Sequence, residues 1–255
     1  MTEEAVLTSQ RDGVLVVTLN RPNMRNAINE ELSLGVAEAM ARLDQSDALR
    51  VAVLHGAGGT FCAGMDLRAF SARPPEEAAA ALARLVRHST RKPLVAAIDG
   101  FAVGGGLELA LACDLMVATP DARLGIPEVA RGLVPSGGAL LRLPHRLPYN
   151  VALDMALTGQ PISGIRAHEL GLVSRLADPG DPLGMGLAVA ASIAAAGQLA
   201  VNGSKTIMSR RIDDAESAEA WEAQFAVTLD TNASEDAHEG IRAFLEKRAP
   251  VFRGR

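Results

Sequence analysis

Two glutamates and a run of three glycines are the residues of this chain best suited to chemistry. Gly104, Gly105 and Gly106 stand at the mouth of an apolar helix reading LELALAC. Glu108 lies two residues beyond them, and Glu128 follows a proline in the segment LGIPE. Glycine N–H groups at a helix N-terminus are accessible and can bind developing negative charge. A carboxylate among apolar neighbours loses hydration, which raises its pKa, while a nearby helix N-terminus opposes the rise. Two such acids beside free amides could move protons next to a stabilised enolate. Each feature also has a plainer explanation. The glycines could serve a tight turn or close helix–strand packing. Glu108 could reach solvent or cap nearby amides, and Glu128 could be an ordinary loop acid.

Other chemistries fit less well. A Rossmann fingerprint fails because position 109 is not glycine and no acid ends a second strand at the usual distance. Gly203-Ser204-Lys205-Thr206 lacks the Gly-Lys step and the upstream glycine of a P-loop. Cys62 and Cys113 form no C-x-x-C pair, and the histidines at 55, 88, 145, 168 and 238 show no metal spacing. Cys62 reads as a small buried apolar residue. Ser136, in Pro135-Ser136-Gly137-Gly138, is not in a nucleophile elbow. No metal site is expected.

The elements that must position these residues come from a chain of 255 residues, long enough for one large domain with an appendage or two small ones. With 48% apolar but only 3% aromatic residues, the core must be aliphatic and closely packed. The net charge of −5 argues against nucleic-acid binding, though not against a local basic pocket for a phosphate-bearing ligand. The start MTEEAVLTSQRDG is polar and acidic, unlike a signal peptide. The most apolar window, Pro93 to Ala118, is broken by Asp99, Glu108 and Asp114, which disfavours a bilayer span. A soluble cytoplasmic protein with reduced thiols and no membrane partner is expected.

Val14–Leu19 (VLVVTL), Val51–His55, Leu94–Ile98 and Leu115–Ala118 read as buried strands. Asn29 is the expected N-cap of a helix through about Leu43, with Leu32, Val36, Ala39, Met40 and Leu43 on its inner face. Ser71–Pro75 reads as a mobile loop, and Glu76–His88 as an alanine-rich helix with Leu82, Leu85 and Val86 inward. Further helices are expected at Gly105–Cys113, Gly137–Leu143, Tyr149–Leu157 and Ser163–Leu170, the last closed by Gly171. The β–α–β order makes the class α/β. Around Asp178–Pro182 the composition shifts, predicting a core over 1–181 and a helical region over 182–255. That region is read as helices at Leu183–Ala196, Gly203–Arg211, Glu216–Asn232 and Glu235–Lys247. Its Trp221, Phe225, Leu229, Ile241, Phe244 and Leu245 suggest packing on another subunit as well as on its own domain.

RPNMRNAIN, FCAGMDL, KPLVAAIDGFAVGGGLELALACD, GIPEVARGLVPSGG, LTGQPISGIRAHELGLV and SEDAHEGIRAFLEKRAPVF occur in this order over nearly the whole chain. Together they resemble the crotonase (enoyl-CoA hydratase/isomerase) superfamily. The resemblance implies a spiral of β–β–α units with a helical C-terminal trimerisation region, the trimers pairing into hexamers. It implies an acyl-CoA thioester substrate held by the backbone amides of Met65 and Gly105, with Glu108 and Glu128 as catalytic residues. In that scheme Glu108 activates a water that attacks C3 of a trans-2-enoyl-CoA, and Glu128 protonates C2. Arg25, Ala27, Ala63, Asp66 and Leu67 fall along the CoA channel. Lys247 either reaches a CoA phosphate, on its own or a neighbouring subunit, or is a solvated charge. No cofactor is implied beyond the CoA that arrives with the substrate. Two departures bear on substrate identity: Ser136 stands where a glycine is common, and Met65 where an alanine is. Another lyase or isomerase of this fold, such as a carnitinyl-CoA dehydratase-like or Δ3,Δ2-enoyl-CoA isomerase-like enzyme, and a non-catalytic acyl-CoA-binding subunit are the rival readings.

Overall fold

The structure, a computed structural model, describes residues 4–70, 85–87, 90–213 and 217–253. Its centre is a six-stranded sheet with the spatial order β1 (Val6–Arg11), β2 (Val14–Leu19), β3 (Val51–Gly56), β4 (Leu94–Ile98), β6 (Leu115–Ala118) and β9 (Arg175–Leu176). β1 and β2 form an antiparallel hairpin turned at Asp12 and Gly13, both at positive φ. Every later neighbour pairs in parallel. The middle strands are continuous aliphatic runs because both faces of the sheet are covered. Leu15, Val17, Ala52, Leu54, Ala96 and Ile98 face the larger core. Their alternates Val14, Val16, Val51, Val53, Val95, Ala97 and Val117 face the other side.

Helix α1 (Glu30–Gln45) packs on the first face. Its Asn29 cap accepts from the Leu32 N–H at 3.0 Å, and the five expected inward residues are all buried. Such a cap contributes about 1 kcal/mol. The second face is covered by a helix at Pro182–Ala194, whose Val189, Ala190 and Ala194 join the valines. At Gly186 an added β-carbon would lie 3.0 Å from Val53 Cγ1, so the helix runs close to the sheet. The expected boundary at Asp181 therefore marks the start of a helix that completes the core. Asp181 caps it by accepting from the Gly184 N–H at 2.9 Å.

A second sheet places the candidate site. It joins β5 (Phe101–Val103), β7 (Arg123–Gly125) and β8 (Ile162–Ser163). β5 and β7 are parallel with Val103 opposite Gly125, so both strands end side by side. The first leads into Gly104, the second into Ile126-Pro127-Glu128. The short helices, in chain order, are α2 (Leu67–Phe70), α3 (Gly105–Leu111), α4 (Ala139–Arg146), α5 (Tyr149–Thr158) and α6 (Gly164–Glu169). Counting Pro182–Ala194 as α7, the chain closes with α8 (Gln198–Asp213), α9 (Ala218–Asn232) and α10 (Glu235–Glu246). Ser163, Ser217 and Ser234 cap α6, α9 and α10.

The expected strands and most of the expected helices are present. β1, β5, β7, β8 and β9 were not anticipated: β1 is exposed along nearly all its length and the others have two or three residues, so none carries a hydrophobic period. The Ser71–Pro75 loop and most of the Glu76–His88 helix lie outside the described residues, as does Glu216. Leu85 and Val86 lie within them and are buried.

Candidate active site

The three glycines have three separate roles. Gly104 has φ +56, a conformation that side chains rarely adopt, and an added β-carbon would fall 2.9 Å from Glu128 Oε1. The missing side chain lets the Glu128 carboxyl rest against the turn. Gly105 opens α3, so its N–H has no carbonyl behind it to bond. Gly106 serves packing: a β-carbon there would lie 2.2 Å from the Cys62 carbonyl oxygen. The tight turn and the close packing are both present, at Gly104 and Gly106.

The opposing wall is the segment from Phe61 to Leu67. Cys62 bridges to Ala102 and Met65 to Ile28. The Ile28 N–H donates to the Gly64 carbonyl at 2.8 Å, and the Asp66 N–H donates to the Ile28 carbonyl at 2.9 Å. These bonds flank Met65, so the Met65 amide points away from Ile28. Gly64, at φ +95, brings this wall against α3: a β-carbon there would be 3.5 Å from Gly105 N. Met65 and Gly105 both line one cavity of about 550 Å³, which Glu108 and Glu128 also line.

Glu108 is 1% exposed. Its Oε1 accepts from the Gly137 N–H at 2.6 Å and the Ala139 N–H at 3.2 Å. Its Oε2 is buried with no partner among the described residues, and so is Oε2 of Glu128. Burial pushes the Glu108 carboxyl up to about 7, against the Ala139 and Gly137 amides and the Arg142 charge, which favour the anion. Burial, then the negative charge on Glu108, pushes Glu128 up to about 8, with Arg131 among the influences opposing it. Burial thus holds both carboxyls above the ordinary carboxylate range, and the anion on Glu108 adds to the rise at Glu128. Cys62 and Cys113 are pushed up to about 12 by burial, which leaves both as unreactive thiols.

Ala63, Met65, Leu67 and Gly105 line the cavity beside the two acids, and Ser136 lines it from the loop after Glu128. The other expected site residues, Arg25, Ala27, Asp66 and Lys247, do not line it. Arg25 has φ +50, accepts from the Ala63 N–H at 3.0 Å and lies 5.8 Å from the Phe101 ring. Ala27 is buried, and its carbonyl accepts from Arg21. Asp66 is engaged by Arg21 at 3.0 Å and accepts from the Ala69 N–H, so its carboxylate props the loop. Lys247 is exposed and ends α10 at φ +56, next to the cavity-lining Glu246. Helix α10 lines the cavity with Ile241, Phe244 and Leu245. The close seat of α10 is made by Gly240, where a β-carbon would lie 2.0 Å from the Arg131 carbonyl oxygen.

Several contributors were not singled out. Gly137 and Ala139 act through backbone, which side-chain patterns do not reveal. Buried Asn26 accepts from the Arg21 N–H within its own loop and donates to the Ala57 and Thr60 carbonyls, tying that loop to the one after β3. Buried Arg142 donates to the Gly137 and Val86 carbonyls. Arg131, three residues after Glu128, stacks 4.6 Å from the Phe244 ring at the cavity wall. Among the described residues, no group of three or more His, Cys, Asp or Glu side chains could hold a metal ion. No single helix there is long and apolar enough to cross a membrane.

Residues 9–255 match a family model described as enoyl-CoA hydratase/isomerase. The chain is 38% identical to the enoyl-CoA hydratase EchA19 of Mycobacterium tuberculosis, over 98% of this chain and 96% of that one. It is 35% identical to a 2,3-dehydroadipyl-CoA hydratase of Escherichia coli, over 98% and 99%. A crystal structure of a carnitinyl-CoA hydratase from Mycobacterium avium superposes with a TM-score of 0.91 at 37% identity, covering all of both chains.

Proposed function

This chain belongs to the enoyl-CoA hydratase/isomerase family, and from that premise we propose that it adds water reversibly across the C2=C3 bond of a trans-2-enoyl-CoA to give a 3-hydroxyacyl-CoA. One observation carries the reading: two buried carboxyl oxygens, Oε2 of Glu108 and Oε2 of Glu128, have no partner among the described residues and belong to acids lining the same cavity. A buried acceptor left unpaired costs about 1–3 kcal/mol. A water held between the acids would donate to both.

The thioester carbonyl oxygen sits at the amides of Met65 and Gly105, which stabilise the enolate formed as C3 is attacked. Each such donor contributes roughly 10²–10³-fold. Glu108 takes a proton from water while the water oxygen bonds to C3. The C2=C3 electron pair moves into the enolate, and Glu128 then gives its proton to C2. The roles follow from the surroundings. Two amides and Arg142 favour the anion of Glu108, whereas Glu128 faces that anion and keeps its proton. Proton exchange with solvent resets the pair. Positioned proton transfer adds about 10²–10⁴-fold.

The CoA arm runs past Ala63 and Leu67, with Arg25, Ala27 and the Asp66 backbone shaping its channel. Lys247 reaches a CoA phosphate of its own or a neighbouring subunit. An isomerase moves one proton between C2 and C4 and needs one carboxyl, and a binding subunit needs neither, so the retained pair favours water addition. A cationic acyl group, as in carnitinyl-CoA, would meet Arg131 at the wall, which favours a neutral or anionic one. The enzyme acts in the cytoplasm as a trimer or a dimer of trimers. A screen of enoyl-CoA esters, followed by loss of the conjugated thioester absorbance, tests the activity. Turnover of at least one chain length is expected, and none across the range would remove the assignment.

A further inference from the structure

The loop from Pro135 to Ala139 carries both amides that hold Glu108, and α9 holds that loop from behind. Gln224 Nε2 donates to the Ser136 carbonyl at 3.0 Å. The Gly137 N–H belongs to the same peptide unit and donates to Glu108 Oε1 at 2.6 Å. In a trans peptide the carbonyl and the N–H point to opposite sides. One peptide therefore forms a bridge, with the Gln224 amide on one end and the Glu108 carboxylate on the other. Donation to the carbonyl polarises the peptide and strengthens its N–H as a donor. Trp221, one turn earlier on α9, fixes the next residue: a β-carbon at Gly138 would lie 2.6 Å from its ring. Arg87 and Arg142 approach that ring at 4.3 and 5.7 Å, and Arg142 also donates to the Gly137 carbonyl.

Gln224 holds this place at a cost. It is 9% exposed, and its Oε1 is buried with no partner among the described residues. An apolar side chain of the same length would avoid that unmet acceptor. A polar residue that weakens packing yet holds one end of a catalytic hydrogen-bond chain is explained by what it holds. We propose that Gln224 and Trp221 are positioning residues for the Glu108 carboxylate, acting through the peptide that joins Ser136 to Gly137. The proposal rests on the reading of Glu108 as the base. The charged groups facing Glu108 are Glu128 across the cavity and Arg142 from α4, with Arg131 acting on Glu128. From α9 the described side chains at the loop, Trp221 and Gln224, are neutral.

The test is Gln224→Met, which keeps length and loses the donor. The Gly137 amide then binds the Glu108 anion less tightly, so the Glu108 carboxyl titrates at higher pH. The acidic limb of the kcat profile moves up with it. Loss of positioning lowers kcat by roughly 10- to 100-fold with KM nearly unchanged. Trp221→Phe, which keeps an aromatic ring against Gly138, retains more activity than Trp221→Leu. A carbon-detected NMR titration of the Glu108 side chain in wild type and Gln224→Met reads the same effect without turnover. A raised Glu108 pKa supports the proposal whatever the melting temperature does. An unmoved Glu108 pKa overturns it, even if the variant is less stable or less active. Failure of the wild type to hydrate any enoyl-CoA would fall on the proposed function, and the NMR comparison would still decide the clamp.

Discussion

At Gly104 a missing β-carbon decides where the Glu128 carboxyl rests, and at Gly106 another decides how close α3 comes to Cys62. Residue types visible in the sequence thus acquire meaning from their neighbours. The acids follow the same pattern: Glu108 and Glu128 are alike in type, and the amides around one and the anion beside the other give them different electrostatic surroundings. This arrangement costs stability. The Glu128 carboxyl titrates above its ordinary value of 4.5 in the folded chain. Between the two values the folded chain holds a proton that the unfolded chain has lost, so stability falls as pH rises through that window. Glu128→Gln removes the loss. Its melting temperature should exceed that of the wild type at pH 8, and the gain should shrink towards pH 4.5. A gain equal at both pH values would show that the charge is not the cause.

Among the elements, the buried strands and α1 were legible because aliphatic runs and the Asn29 cap are local features. β5 and β7 were not: with three residues each, they owe their pairing to the chain around them. Yet the register of Val103 with Gly125 is what brings Gly104 and Glu128 together. The site residues were legible as candidates from their types, whereas their meeting was an expectation of the family resemblance and of no local spacing. On α9 the large apolar residues suggested a face of Trp221, Phe225 and Leu229, whereas Trp221, Gln224 and Thr228 are the residues buried. Polar residues on an inner face escape a hydrophobic count. α7 has a further consequence. Cutting the chain after Asp181 would uncover Val14, Val16, Val51, Val53, Val95 and Val117. Each buried valine contributes roughly 1.5 kcal/mol or more, and a whole domain is stable by only about 5–15 kcal/mol. The truncated chain should be insoluble or unfolded by circular dichroism. A soluble fragment with a cooperative melt would contradict the place given to α7.

For the whole molecule, the most exposed large apolar side chains among the described residues lie on α8. Leu199, Ile207 and Met208 of α8 are 90%, 72% and 76% exposed, more than a lone chain keeps without reason on one helix. Self-association would cover them. Light scattering should give a trimer or hexamer, and Ile207→Asp with Met208→Asp should shift it towards monomer. A wild-type monomer at micromolar concentration would contradict that assembly. Charge agrees with the chemistry at this scale too: a net −5 chain sets Arg142 near Glu108 and Arg131 near Glu128, where local field matters more than the total.

The most direct measurement follows the oxygen atom. Incubation with crotonyl-CoA in ¹⁸O-water, read by mass spectrometry, should place one heavy oxygen on C3 of the 3-hydroxyacyl-CoA product. Glu108→Gln and Glu128→Gln should each lower that rate by roughly two to four orders of magnitude while still binding the thioester. Incorporation at the wild-type rate in either variant, or none in the wild type with any enoyl-CoA, would contradict water addition between the two glutamates.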